Sequence, residues 1–145
     1  WQAVARLSLE LGRMPEAIAA AGEAVDLDPS FAPGWELVAR GRLAAGDEAA
    51  ALEAARRGVA ADPAFVGARG TLGLILVRMS RWAEALPELD AVVAAQPQVA
   101  MPHALRSVCL ANLGRLAEAR AAADRALAID PANGVARQVR EQLGE

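Results

Sequence analysis

The sequence predicts an all-α fold, a solenoid in which one helix-turn-helix unit is copied along the chain, and three observations predict it. Pro29, Pro63, Pro97 and Pro131 fall 34 residues apart without a slip. A strict period of that length marks a supersecondary unit that buries its apolar face against the next copy. Small residues keep the same beat: Ala17, Ala51, Ala85 and Ala119 twelve before each proline, and Ala5, Ala39, Gly73 and Ser107 twenty-four before it. Seventeen before each proline stand Gly12, Gly46, Ser80 and Gly114, where a chain leaving one helix for the next needs a left-handed residue.

These punctuation marks place the helices in order. Each unit reads as helix, tight turn, helix, and then a proline that stops the second helix. The expected helices are 1–11, 14–27, 32–45, 48–61, 66–79, 82–95, 100–113, 116–129 and 134–143. Within 35–52, Trp35, Val38, Ala39, Leu43, Ala49 and Leu52 recur at close to three- and four-residue spacing, a helical period. Alanine, the best helix former, makes up about a quarter of the chain, and strand-length β-branched runs are nearly absent. The repeats run approximately 1–31, 32–65, 66–99 and 100–133, followed by a capping helix at 134–145, and all form one domain. In the cap, Val135, Val139 and Leu143 share a stripe, with Arg137, Gln138, Arg140, Glu141 and Gln142 around the rest. The start at Trp1, in mid-repeat and without Met, reads as a piece of something longer.

Helices approach to about 8–10 Å only where side chains at the crossing are small. The Ala, Gly and Ser series supplies those crossings, and Leu37, Leu43, Leu72, Leu76, Leu105, Leu110, Leu127 and Ile129 are expected to fill the spaces between them. Val92 is larger than its counterparts Ala24, Gly58 and Ala126, and Pro87 falls inside a helix. Together they predict a bend or local loosening in the third repeat.

This pattern resembles the tetratricopeptide repeat family over essentially the whole chain. Trp1 and Trp35, the small residues at 5, 39, 73 and 107, the alanines at 17, 51, 85 and 119, and the prolines stand in the order that family uses. Arg69 and His103 depart from it, standing where an aromatic is expected. The resemblance implies a right-handed superhelix whose concave side is lined by the first helix of every pair, and a non-catalytic role in protein interaction. Its face residues would include Arg6, Glu36, Arg40, Leu74, Val77, Arg78, Met101, Leu105, Val108 and Asn112. The series Arg6, Arg40, Leu74, Val108 turns from charged to apolar halfway. That suits a peptide or partner helix presenting carboxylates at one end and apolar side chains at the other. The competing reading is that these apolar residues pack against neighbouring helices.

Some members of the family clamp a chaperone's C-terminal carboxylate with Lys and Asn side chains. The matching positions here are Gln2, Arg6, Leu37, Gly67 and Thr71, or one repeat along Glu36, Arg40, Thr71, Met101 and Leu105. Neither set supplies the clamp, so chaperone-tail binding is not expected.

Other chemistry finds little footing. Net charge is −3 with both signs interleaved, all 15 cationic residues are Arg, and aromatics are 3% of the chain. A nucleic-acid partner is therefore not expected, and the arginine bias fits a GC-rich bacterial genome. The lone histidine, His103, and the lone cysteine, Cys109, lie about 240° apart on one helix and cannot act as base and nucleophile. Cys109 reads as a packed small hydrophobe. No metal or cofactor is expected, since neither a Cys pair nor a second His exists. Asp47, Glu48, Glu16 and Glu118 sit at helix starts, where negative charge complements the backbone dipole. No apolar run reaches the eighteen residues of a membrane span. The expected function is a scaffold that binds a protein or peptide, or a second copy of the chain. The alternative is the substrate-recruiting arm of a larger glycosyltransferase or sulfotransferase.

Overall fold

A computed structural model describes residues 14–144, and among them the chain forms eight α-helices and no strand. They are α1 (Met14–Leu27), α2 (Ala32–Ala44), α3 (Glu48–Ala61), α4 (Val66–Arg78), α5 (Trp82–Ala95), α6 (Ala100–Asn112), α7 (Leu116–Ile129) and α8 (Gly134–Gln142). Each bound falls within one residue of the sequence expectation; the helix expected at 1–11 lies outside the described residues. The chain divides into two compact units, one ending at Ile75 and the other beginning at Leu76.

The turns inside the repeats explain why the helices end where they do. Gly46 and Gly114 take φ of 81° and 75°, and Ser80 takes 58° at the same place in its repeat. In each case the residue after it donates back five positions: Asp47 N–H to Arg42 O at 3.0 Å, Arg81 to Leu76 at 2.8 Å, Arg115 to Leu110 at 2.9 Å. This is the Schellman arrangement, and it satisfies carbonyls that the helix end leaves open. The next helix starts at once. Asp47 caps α3 by accepting from Ala50 N–H at 3.0 Å. Arg81 and Arg115, which cannot cap, instead fork onto Glu84 and Glu118 three residues on, with N···O distances of 2.7–2.8 Å.

The turns between repeats have their own device. Asp28, Asp62 and Asp130 each stand before the repeat proline and accept through Oδ1 from the N–H two residues on, at 2.9–3.0 Å. Such Asx turns reverse the chain locally. Gln96 takes the same place in the third repeat.

In the first unit the buried residues come from all four helices, with Ala17, Ala21, Ala39, Ala51, Ala55, Ala68 and Ile75 fully buried. Helix α1 packs on α2, and α2 on α3. Gly34 and Gly41 show how close the α1–α2 approach is: a Cβ on Gly41 would stand 2.6 Å from Ile18 Cγ2, and one on Gly34 would stand 2.7 Å from Val25 Cγ1. Gly58 on α3 lies equally near Ala68 Cβ and Trp35 Cβ, each 3.2 Å from where its own Cβ would be.

The second unit packs α5 on α6, α6 on α7, and α8 on both α6 and α7. Ala85, Leu89, Ala104, Ser107, Cys109, Leu110, Ala119, Ala123 and Ala126 are fully buried. Every described member of the two small-residue series is buried. Ser107 tolerates burial because its hydroxyl donates to Ala104 O at 2.7 Å. Of the leucines expected to fill the spaces, Leu37, Leu43, Leu72, Leu76 and Leu110 are buried, whereas Leu105, Leu127 and Ile129 are only half-buried. Helix α5 runs unbroken through Pro87, whose ring is exposed. In α8, Val139 is buried with Val135 and Leu143 packed beside it, so the predicted apolar stripe is the docked face. Glu141 occupies the register of Ala39, Gly73 and Ser107, and it is exposed. An acidic side chain stands where the three full-length first helices place a small one.

Candidate functional site

The sequence points to one face, carried by the first helix of each repeat. Arg6 lies outside the described residues. In the first unit, α2 and α4 supply Glu36, Arg40 and Leu74. Glu36 and Arg40 are one helical turn apart and pair at 3.5 Å, with the Glu36 side chain 19% exposed and Arg40 46% exposed. The other Glu36 contact crosses helices: Thr71 Oγ1 lies 3.5 Å from Glu36 Oε1. Gly67 leaves room beside it, since a Cβ there would stand 3.1 Å from Glu36 Oε2. Two successive first helices are thus neighbours, joined through a carboxylate. Leu74, one turn beyond Thr71, is half-buried.

In the second unit the expected residues lie on α4 and α6. Val77 and Leu105 are half-buried, and Arg78 is exposed. Met101 is 48% exposed and Val99, just before α6, is 43% exposed. Solvent does not ordinarily leave two such apolar groups bare without cost. Asn112 is exposed and donates its Nδ2 to Val108 O at 2.9 Å, closing the end of α6. Val108 differs from its neighbours. It packs against the cluster of Ala104, Ala123, Ala126, Ala136 and Val139, so part of its surface belongs to the seat of α8.

The groups that chemistry would need are turned apart. Cys109 is fully buried, and burial pushes its thiol up to about 11, which leaves little thiolate to react. The His103 ring reaches the other way, to Pro97 O at 3.0 Å. Among the described residues no three His, Cys, Asp or Glu side chains gather as metal ligands would. No described helix is long and apolar enough to cross a membrane. An open depression of about 620 Å³ lies elsewhere, lined by Pro29, Ser30, Trp35, Arg57, Ala60 and Ala61, with the Arg57 guanidinium 5.1 Å over the Trp35 ring. None of the expected face residues lines it, and apart from Arg57 it holds no ionisable group.

The element order and turn chemistry define an all-α helical-repeat protein of the α-solenoid class. Comparison with known proteins narrows this. Residues 71–134 match the family model described as tetratricopeptide repeat. Among solved structures, the chain is similar to MamA residues 41 to the end from Desulfovibrio magneticus RS-1, at 22% identity and a TM-score of 0.80, covering 99% of this chain and 79% of that one. It is similar to the first TPR domain of human RPAP3, at 20% identity and a TM-score of 0.70, covering 79% of this chain and 91% of that one. A third is the first TPR of Spaghetti (RPAP3) bound to the HSP90 peptide SRMEEVD, at 20% identity and a TM-score of 0.72, covering 81% of this chain and 97% of that one. No curated protein matches the sequence. Residues 71–134 are thus similar to tetratricopeptide repeats, and the chain shares the helical-repeat fold of these solved structures.

Proposed function

We propose that this protein is a non-catalytic interaction module that holds an extended peptide or a partner helix against the first-helix face. The observation that carries the reading is the pairing of first helices through Glu36 and Thr71 together with the bare Met101. The first gives a polar, ordered lane in the first unit; the second gives an apolar landing point in the second. A fold relative binds a peptide, which supports a contact role in general.

The chemistry of the lane argues for a different ligand from that relative's. Every cation here is an arginine, and Arg40 is already engaged with Glu36. A partner carboxylate would exchange with Glu36 for the Arg40 fork, which favours bidentate recognition over the point charge of a lysine. Leu74 in the first unit, and Val77, Met101 and Leu105 in the second, would take aliphatic or aromatic side chains.

Peptides selected from a display library against this chain test the reading. Leu74→Ser with Met101→Ser is predicted to weaken the selected peptides about tenfold or more, with helicity and melting temperature nearly unchanged. Val108 is the wrong probe, since it shares the seat of α8. If the double variant unfolds, these residues are core and the proposed face is lost with them. Unchanged binding would also overturn it.

A further inference from the structure

The fourth residue of each described first helix is Trp35, Arg69, His103 or Arg137, a set that looks unrelated by size, charge or hydropathy. All four do one thing. Trp35 Nε1 donates to Pro29 O at 2.8 Å, and Arg69 Nε donates to Pro63 O at 2.6 Å. Arg137 reaches Pro131 O with both Nε at 2.9 Å and Nη2 at 2.6 Å. His103 Nε2 lies 3.0 Å from Pro97 O, and since a carbonyl only accepts, the tautomer protonated at Nε2 is the donor. Each bond spans six residues and closes the turn between a repeat proline and the helix that follows it. The proline carbonyl lies just past the end of the preceding helix, outside the reach of the helical ladder.

We propose that this position is a junction clamp, selected for a side-chain N–H at the right reach and not for an aromatic ring. Arg69 and His103 are then full members of the series. The clamp ties the first turn of each first helix to the proline that ends the repeat before it, and so fixes the angle at which the helix enters. Trp, Arg and His share the one property it needs, a planar nitrogen donor held on a side chain long enough to turn back six residues. The third junction carries reinforcement: Arg125 Nη2 also approaches Pro97 O at 3.4 Å and Gln98 Oε1 at 3.2 Å. There the Asx turn of the other junctions is replaced by Gln96. The extra donor stands where the turn's own hydrogen bond is missing.

The test uses one junction in each unit. Arg69→Met and Arg137→Met keep an unbranched stem and remove the donor, while Arg69→Trp and Arg137→Trp restore an N–H without the charge. Amide hydrogen exchange is read over 64–70 and 134–140. The Met variants are predicted to exchange about tenfold faster in the segment behind the lost clamp, and the Trp variants to return to within about twofold of the parent. Among the described residues Arg137 makes no interhelical ion pair, so its pair of variants isolates the donor from the charge. Equal exchange in the Met and Trp variants, whether fast or slow, overturns the proposal.

Discussion

Backbone conformation at single residues decides much of what this chain tolerates. Ser80 does the work of Gly46 and Gly114 at φ of 58°, a region that costs an L-residue roughly 1–2 kcal/mol. Its side chain is exposed, so Ser80→Gly is expected to stabilise the protein by about 1 kcal/mol in chemical denaturation. Gly41 reverses the sign. Alanine there gains helix propensity of about 1 kcal/mol, but its Cβ would meet three Ile18 atoms at 2.6–2.9 Å. A β-branched side chain yields little, and Gly41→Ala is expected to cost roughly 1–3 kcal/mol of net stability. If both substitutions shift the midpoint in the same direction, the account of these two positions is wrong. The glycine and serine series itself was readable in the sequence, because its spacing announces a turn. The approach of Ile18 to Gly41 was not, because nothing in residue type says which face of α1 meets which face of α2.

Among the elements, α5 is the one that breaks a local rule. Pro87 is the sixth residue of the helix, past the first turn where a missing N–H is harmless. The carbonyl of Ala83 loses its helical donor, yet the helix continues to Ala95. Burial of Ala85, Leu86, Leu89 and Val92 on one side holds it. Interior proline costs about 3 kcal/mol relative to alanine. With the ring exposed, Pro87→Ala is expected to raise stability by ~1–3 kcal/mol, measured as the shift in urea midpoint at constant m-value. No shift would mean that α5 is anchored only beyond residue 87. The second unit adds a repeated ion pair between a second helix and the first helix after it: Asp90 with Arg106 at 2.6 Å, and Asp124 with Arg140. The members stand 34 residues apart, while the first unit has Gly22 with Val38 and Arg56 with Leu72 in those registers. Part-exposed pairs like these contribute modestly and weaken with salt. Helix limits were legible to within a residue because proline, glycine and capping chemistry act locally. The clamp series and this ladder were hidden, since each bond depends on how one helix enters beside another.

For the whole molecule, the repeat architecture was legible because a period is a global property that the sequence states four times over. The proposed face was legible only as a register, since the repeat geometry names which helix would contribute, while burial must say which residues remain available. That distinction moved Val108 toward the seat of α8 and left Met101 as the exposed apolar member. On the proposed reading, a partner is held by the first helices and not by the second ones. Photo-crosslinking tests it most directly, with benzoylphenylalanine placed at Met101 on α6 or at the exposed Ala121 on α7. A peptide selected against the parent protein is predicted to crosslink from position 101 and not from position 121. Crosslinking from 121 with none from 101 would contradict the claim.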